Sequence, residues 1–258
     1  MIQNLNNMVT IFLRFSVSYY SSCHIKPLTF FFSCDIMRSN LIFRGLRVVK
    51  GSFEDMIKAV IFDFGQVLVH FDSDYILKNA IPNETDRKIA AEILFSREYW
   101  DRMDDGTLTE EELCRNAIPR IDEKYRKAAE DAIMNWYERL PEWEGMRDLL
   151  ADLKKQGIPI FLISNISKGF AAHAGEIPIL SYIDNAVFSA AVDCVKPYPE
   201  IFDLACRRFG YAKEECVFID DSEKNIKGAS DFGLNTVLFD GDAVSLRKKL
   251  SEMLDCAL

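Results

Sequence analysis

From residue 144 onward the chain alternates amphipathic helical stretches with short apolar runs, and few folds accept such a pattern. "EGMRDLLADLKKQG" carries its apolar residues at helical spacing and stops at Gly157. "IPIFLIS" then reads as a strand, as does "NAVFSA" further on. The helix "PEIFDLACRRFG", the strand "CVFID", the helix "SEKNIKGASDFG" and the strand "NTVLFD" complete the series. Alternation of this length predicts an α/β core, a doubly wound, Rossmann-like parallel sheet with helices on both faces. One more strand, "KAVIF" at 58–62, precedes the series, and "GQVLVHFD" after it reads as a small hairpin.

Between these two parts, residues 73–140 show only helical periodicity, as in "DRKIAAEILFSREYW", "EEELCRNAI" and "YRKAAEDAIMNWYERL". Thr109 and Glu112 form a capping-box pair directly after the turn "DDGT". The expected organisation is therefore an α/β core from 56–72 and 141–258, with an inserted all-helical cap domain at 73–140.

Residues 1–55 stand apart. They carry +3, which leaves −12 for the rest of a chain whose net charge is −9. Their apolar patches are too short and interrupted to span a bilayer, which takes about 20 apolar residues. This stretch reads as an extension, either a Ser-rich, acid-poor targeting segment or upstream sequence ahead of a start at Met56. The acidic remainder argues against nucleic-acid and anionic-membrane partners. Seven cysteines, odd in number and without a C-x-x-C pair, read as reduced thiols of a cytoplasmic protein. Three separated histidines make a histidine-based metal centre or a Ser-His-Asp triad a poor expectation.

In open α/β sheets ligands bind beyond the carboxyl ends of the strands. Asp63, Ser164 and the pair Asp220–Asp221 all fall at such ends. Two adjacent carboxylates leaving a buried strand repel each other unless a cation intervenes. Joined by Asp63, they suit a hard cation with oxygen ligands, Mg²⁺ above all. Ser164, a hydroxyl at the start of a helix, suits either a helix cap or an anion site. Lys196, beside Pro197 and ahead of a helix, is a charge balancer if it meets these groups and a surface lysine if it does not.

Four segments in order, "AVIFDFGQVLV", "FLISN", "VKPYPEIF" and "VFIDDSEKNIKGA", resemble the motifs of the haloacid dehalogenase (HAD)-like hydrolase superfamily, and within it the phosphatase-like group with a helical cap. The resemblance runs from about residue 58 to 240. It implies a Mg²⁺-dependent hydrolase of small phosphate monoesters, sugar phosphates among them, acting through an aspartyl-phosphate on Asp63. Mg²⁺ would be held by Asp63, the Gly65 carbonyl, Asp221 and Asp220, the last directly or through water. Ser164 and the backbone near Asn165 would hold the phosphoryl oxygens, and Lys196 would neutralise charge. Asn225 would position Asp220 or Lys196, and Trp100 and Arg102 of the insert are candidates to touch the leaving group. The partner implied is a small phosphorylated metabolite, and the chain a monomer or dimer.

Gly65 departs from the family pattern, which usually has a second acid there to carry protons. Three readings follow. The first is a phosphatase in which water or a neighbour such as Gln66, His70 or Asp72 moves the proton, as expected of sugar-phosphate phosphatase-like members with glycine here. The second is an impaired enzyme kept as a binding or regulatory module. The third is a dehalogenase, the weakest, since that chemistry leaves the paired acids without a purpose.

Overall fold

The computed structural model describes residues 56–258, so the expectations for 1–55 lie outside the described residues. Five parallel strands form one sheet in the order β3-β2-β1-β4-β5: β1 (Ala59–Phe62), β2 (Ile160–Ser164), β3 (Asn185–Phe188), β4 (Cys216–Asp220) and β5 (Asn235–Leu238). The central strand β1 pairs with β2 (Ile61 opposite Phe161) and with β4 (Ile61 opposite Phe218). Every residue of β1, β2 and β4 is buried, which explains their unbroken apolar runs. The edge strands β3 and β5 are partly exposed and correspondingly more polar.

Alternate residues of the strands feed two different cores. Val60, Phe62, Leu162, Val217 and Ile219 face one side, against helices α6 (Met146–Lys155) and α11 (Ala243–Met253). Ala59, Ile61, Phe161, Ile163 and Phe218 face the other, against α9 (Pro199–Phe209) and α10 (Glu223–Phe232). Gly210 and Gly233 end these last two helices with φ of 80° and 107°, a left-handed turn that glycine takes without steric cost. Because β2 and β3 lie to one side of β1 and β4 and β5 to the other, the strand order reverses between β1 and β4. The crevice of such a sheet opens at their carboxyl ends.

Between β1 and α6 the chain makes helices α1 (Ser73–Leu77), α2 (Glu84–Leu94), α3 (Arg97–Asp104), α4 (Glu110–Ala117) and α5 (Arg126–Met134), joined by 3₁₀ turns, and two short helices, α7 (Lys168–His173) and α8 (Ser189–Val192), follow β2 and β3. Thr109 and Glu112 close their capping box at the start of α4. The apolar residues of this insert, Leu94, Met103, Leu113 and Trp136 among them, join the first of the two cores rather than forming one apart. The expected hairpin at 65–72 is a tight turn instead. Val67 N, Leu68 N and Val69 N all donate to Phe64 O, and Gly65 and Val69 meet only in an isolated bridge. Three amides converging on one carbonyl leave no ladder to extend. Among the described residues no helix is long and apolar enough to cross a membrane.

Candidate active site

The site gathers where the strands end. Asp63 follows β1 directly, and its own backbone neighbour steadies it, Phe64 N donating to Asp63 Oδ1 at 2.7 Å. Asp220 is the last residue of β4, and Ser164 the last of β2. Lys196 arrives from the loop before α9. Its ammonium lies 2.8 Å from Asp63 Oδ1 and 2.6 Å from Asp220 Oδ2, with all three side chains buried or nearly so.

Each member is held from outside. Asn225, on α10, donates to both Asp220 oxygens at 3.1 Å, and Ser222 N donates to Oδ1 at 2.8 Å. The Asn165 side chain brackets the Lys196 backbone: its Nδ2 donates to Lys196 O at 3.0 Å, and its Oδ1 accepts from Lys196 N at 2.7 Å. Asn165 thus uses its amide to fix the lysine. Gly228 lets α10 approach the same loop closely, since a Cβ there would stand 2.4 Å from Pro197 O.

Burial pushes the Asp63 carboxyl up to about 7; Lys196 opposes the rise and Asp220 adds to it. For Lys196 burial works against the charged form, yet Asp220 and Asp63 outweigh it and the ammonium is held above its ordinary range. Asp221, exposed beside the cluster, is also raised, by partial burial first and Asp220 second.

Asp63, Asp220 and Asp221 each offer a carboxylate oxygen, all within 4.8 Å of one another. Ligands on opposite sides of a Mg²⁺ stand about 4.2 Å apart, so this all-oxygen set fits a hard divalent cation with little adjustment. Asp220 already accepts bonds on both oxygens, which leaves Asp63 and the exposed Asp221 as the freer donors. Gly65 sits next to Asp63 and lines the same cavity.

That cavity, about 310 Å³, runs from Asp63, Ser164 and Asn165 to the insert, where Trp100 and Asp104 close it. Trp100 stacks on Phe95 (centroids 5.0 Å apart, planes at 12°) and donates from Nε1 to Leu94 O at 2.9 Å, so it belongs both to the packing of the insert and to the cavity wall. Arg102 is exposed and does not line the cavity; Arg97, one to two turns earlier on α3, does. Helical rotation accounts for the difference, because the two positions face different sides. Asp104 escaped the sequence reading although it lies in "YWDRMDDGTLTEEEL", since an acid near the end of a polar helix looks solvated until the fold turns it inward.

The haloacid dehalogenase-like hydrolase family model matches residues 57–233. The chain belongs to that family. Among other members of the HAD-like family, the (S)-2-haloacid dehalogenase 4A of Burkholderia cepacia is 29% identical over 43% of this chain and 49% of its own length. The D-ribitol-5-phosphate phosphatase of Bacteroides thetaiotaomicron is 24% identical over 70% of this chain and 91% of its own. The chain spans 40% to 61% of the length of three curated relatives it matches, that dehalogenase among them. A solved HAD family enzyme from Bacteroides thetaiotaomicron, in complex with magnesium and inorganic phosphate, superposes with a TM-score of 0.58 at 24% identity. The superposition covers 74% of this chain and 98% of that one, and carries the fold.

Proposed function

We propose that this HAD-like hydrolase cleaves small phosphate monoesters through an aspartyl-phosphate on Asp63, with Mg²⁺ as its cofactor. One observation supports the reading most: Asp63 shares a buried ammonium with Asp220 while Asp221 stands open beside them. A carboxylate approaching a phosphate dianion meets like-charge repulsion. Lys196, 2.8 Å from the attacking group, offsets part of it and fixes the carboxylate's orientation. A bound Mg²⁺, held by Asp63, Asp221, the Gly65 carbonyl and Asp220, would supply further charge neutralisation at the phosphoryl oxygens.

The chain's own groups do the rest. Asp63 attacks phosphorus, and the ester oxygen departs into the cavity under the insert. Ser164, 2% exposed in the cavity wall beside Asp63, offers a hydroxyl to the phosphoryl group. The helical insert serves as a cap that excludes water and shapes the pocket for the leaving group. A cavity of about 310 Å³ lined by Phe71, Phe95, Trp100 and Trp136 suits a small leaving group with an apolar face, which sugar phosphates possess. The phosphatase relative and the magnesium- and phosphate-bound neighbour support the same chemistry. Attack on carbon would leave the negative charge of Asp63, Asp220 and Asp221 that Lys196 does not balance without a divalent cation.

The test is a panel of phosphate monoesters assayed with and without Mg²⁺. Turnover that requires Mg²⁺ and vanishes in Asp63→Asn is the expected result. An unaltered Asp63→Asn rate would end the proposal. Tight binding of phosphate esters without turnover would favour the reading as a binding module.

A further inference from the structure

Under that reading each turnover needs a proton delivered to the leaving oxygen and another taken from water, and Gly65 has no group for either. None of the titratable neighbours in sequence lines the cavity that holds Asp63 and Ser164. His70 packs against Trp143 with ring centroids 3.6 Å apart and, with Asp72 and Asp221, lines the larger neighbouring cavity rather than the one that holds Asp63 and Ser164. Asp72 caps α1, accepting from Asp74 N and Tyr75 N. Gln66 has no proton to exchange near neutrality.

We propose that Asp104, delivered by the helical insert, is the general acid–base residue of this site. This rests on the phosphatase reading above. Asp104 lines the same cavity as Asp63 and Ser164. Its position is fixed from the core: Ser189 Oγ donates to Asp104 O at 2.5 Å, and Lys168 Nζ donates to Gly106 O at 3.2 Å in the next turn. Among the described residues its carboxylate makes no hydrogen bond or ion pair, whereas Asp63 and Asp220 are both tied to Lys196.

The charges facing it are Asp63 and Lys196 from the core, and Asp101 and Arg97 from its own helix. Burial, with Asp101 and Asp63 adding, raises its carboxyl to about 7. A carboxylic acid so placed keeps its proton near neutrality and can give it away. When an Asp63 oxygen bonds to phosphorus, the phosphorus–oxygen bond to the leaving group breaks. Its electron pair stays on the leaving oxygen, which takes the Asp104 proton. The resulting carboxylate then removes a proton from the water that attacks phosphorus, the Asp63–phosphorus bond breaks, and inorganic phosphate departs.

The test compares kcat/KM for two esters in the wild-type chain and in Asp104→Asn. Glycerol phosphate has a leaving oxygen that needs a proton; 4-nitrophenyl phosphate has one that does not. The expected loss is about 10²–10⁴-fold for the first and less than about 10-fold for the second. In the Asp104→Asn background, Gly65→Asp is expected to restore much of the loss. A Cβ at 65 has only Phe71 Cβ near it, at 3.8 Å, and the backbone there is not left-handed. Independently of turnover, the ¹³C carboxyl resonance lost in Asp104→Asn is expected to titrate near neutrality in metal-free protein. Equal losses for both esters, no loss, or titration at the ordinary aspartate value would overturn the assignment alone. A wild-type chain inert toward every ester would overturn the phosphatase reading with it.

Discussion

At the scale of residues, charge balance governs the site. Asp63, Asp220 and Asp221 against Lys196 leave two uncompensated negative charges when all are ionised, in surroundings where unpaired charge is costly. A single divalent cation at these oxygens would balance that charge. The same balance makes Lys196 expensive to remove. Lys196→Met would strand two buried carboxylates, and breaking a buried pair from one side costs about 3–5 kcal/mol. Urea unfolding of the metal-free variant is expected to show a loss of that size, with hydrolysis gone as well. A loss under about 1 kcal/mol would mean the carboxylates were not relying on it.

At the scale of elements, the site depends on how closely α10 lies against the loop that carries Lys196. Asn225 reaches Asp220 from this helix, and Gly228 faces Pro197 O at a separation no side chain tolerates. Gly228→Ala must push helix and loop apart. A shift of about 1 Å at a reacting group can cost about 10²-fold in rate. The expected outcome is a fall in kcat/KM of that order while circular dichroism retains the helical signal; an unchanged kcat/KM would show that the loop adapts. The insert is anchored in a comparable way, by Ser189 on Asp104 O, Lys168 on Gly106 O and Ser167 on the buried Glu110. These contacts hold the insert's side of the cavity against the strand ends.

At the scale of the whole molecule, the apolar core runs continuously from the sheet into the insert, so the two parts share their stability. Cation binding at the strand ends is then expected to stabilise the entire unit. A ligand at 100 times its Kd adds about 2.7 kcal/mol, which for a chain this size raises Tm by about 5–10 °C. Thermal melts with Mg²⁺ and after chelation test this. Asp221→Asn is a clean control because Asp221 is exposed and makes little contact with the core. It is expected to remove most of the Mg²⁺ effect while leaving the metal-free Tm no lower, since it takes away one of the charges that repel Asp220.

The sheet was legible in the sequence because β1, β2 and β4 are buried on both faces, and burial of that kind writes itself as runs such as "AVIF" and "CVFID". Asp63, Ser164 and Asp220 were legible for a related reason: a polar residue closing such a run must lie at the edge where the crevice opens. The turn after β1 was misread because three of its amides converge on one carbonyl, Phe64 O, which alternation of apolar residues does not record. Arg102 and Asp104 show the same limit more sharply. Both lie on one polar helix with equal claims in sequence, and only the packing of that helix against the core decided which one faces Asp63. Local pattern states what a residue is able to do, and the long-range contacts of the fold set which groups it meets.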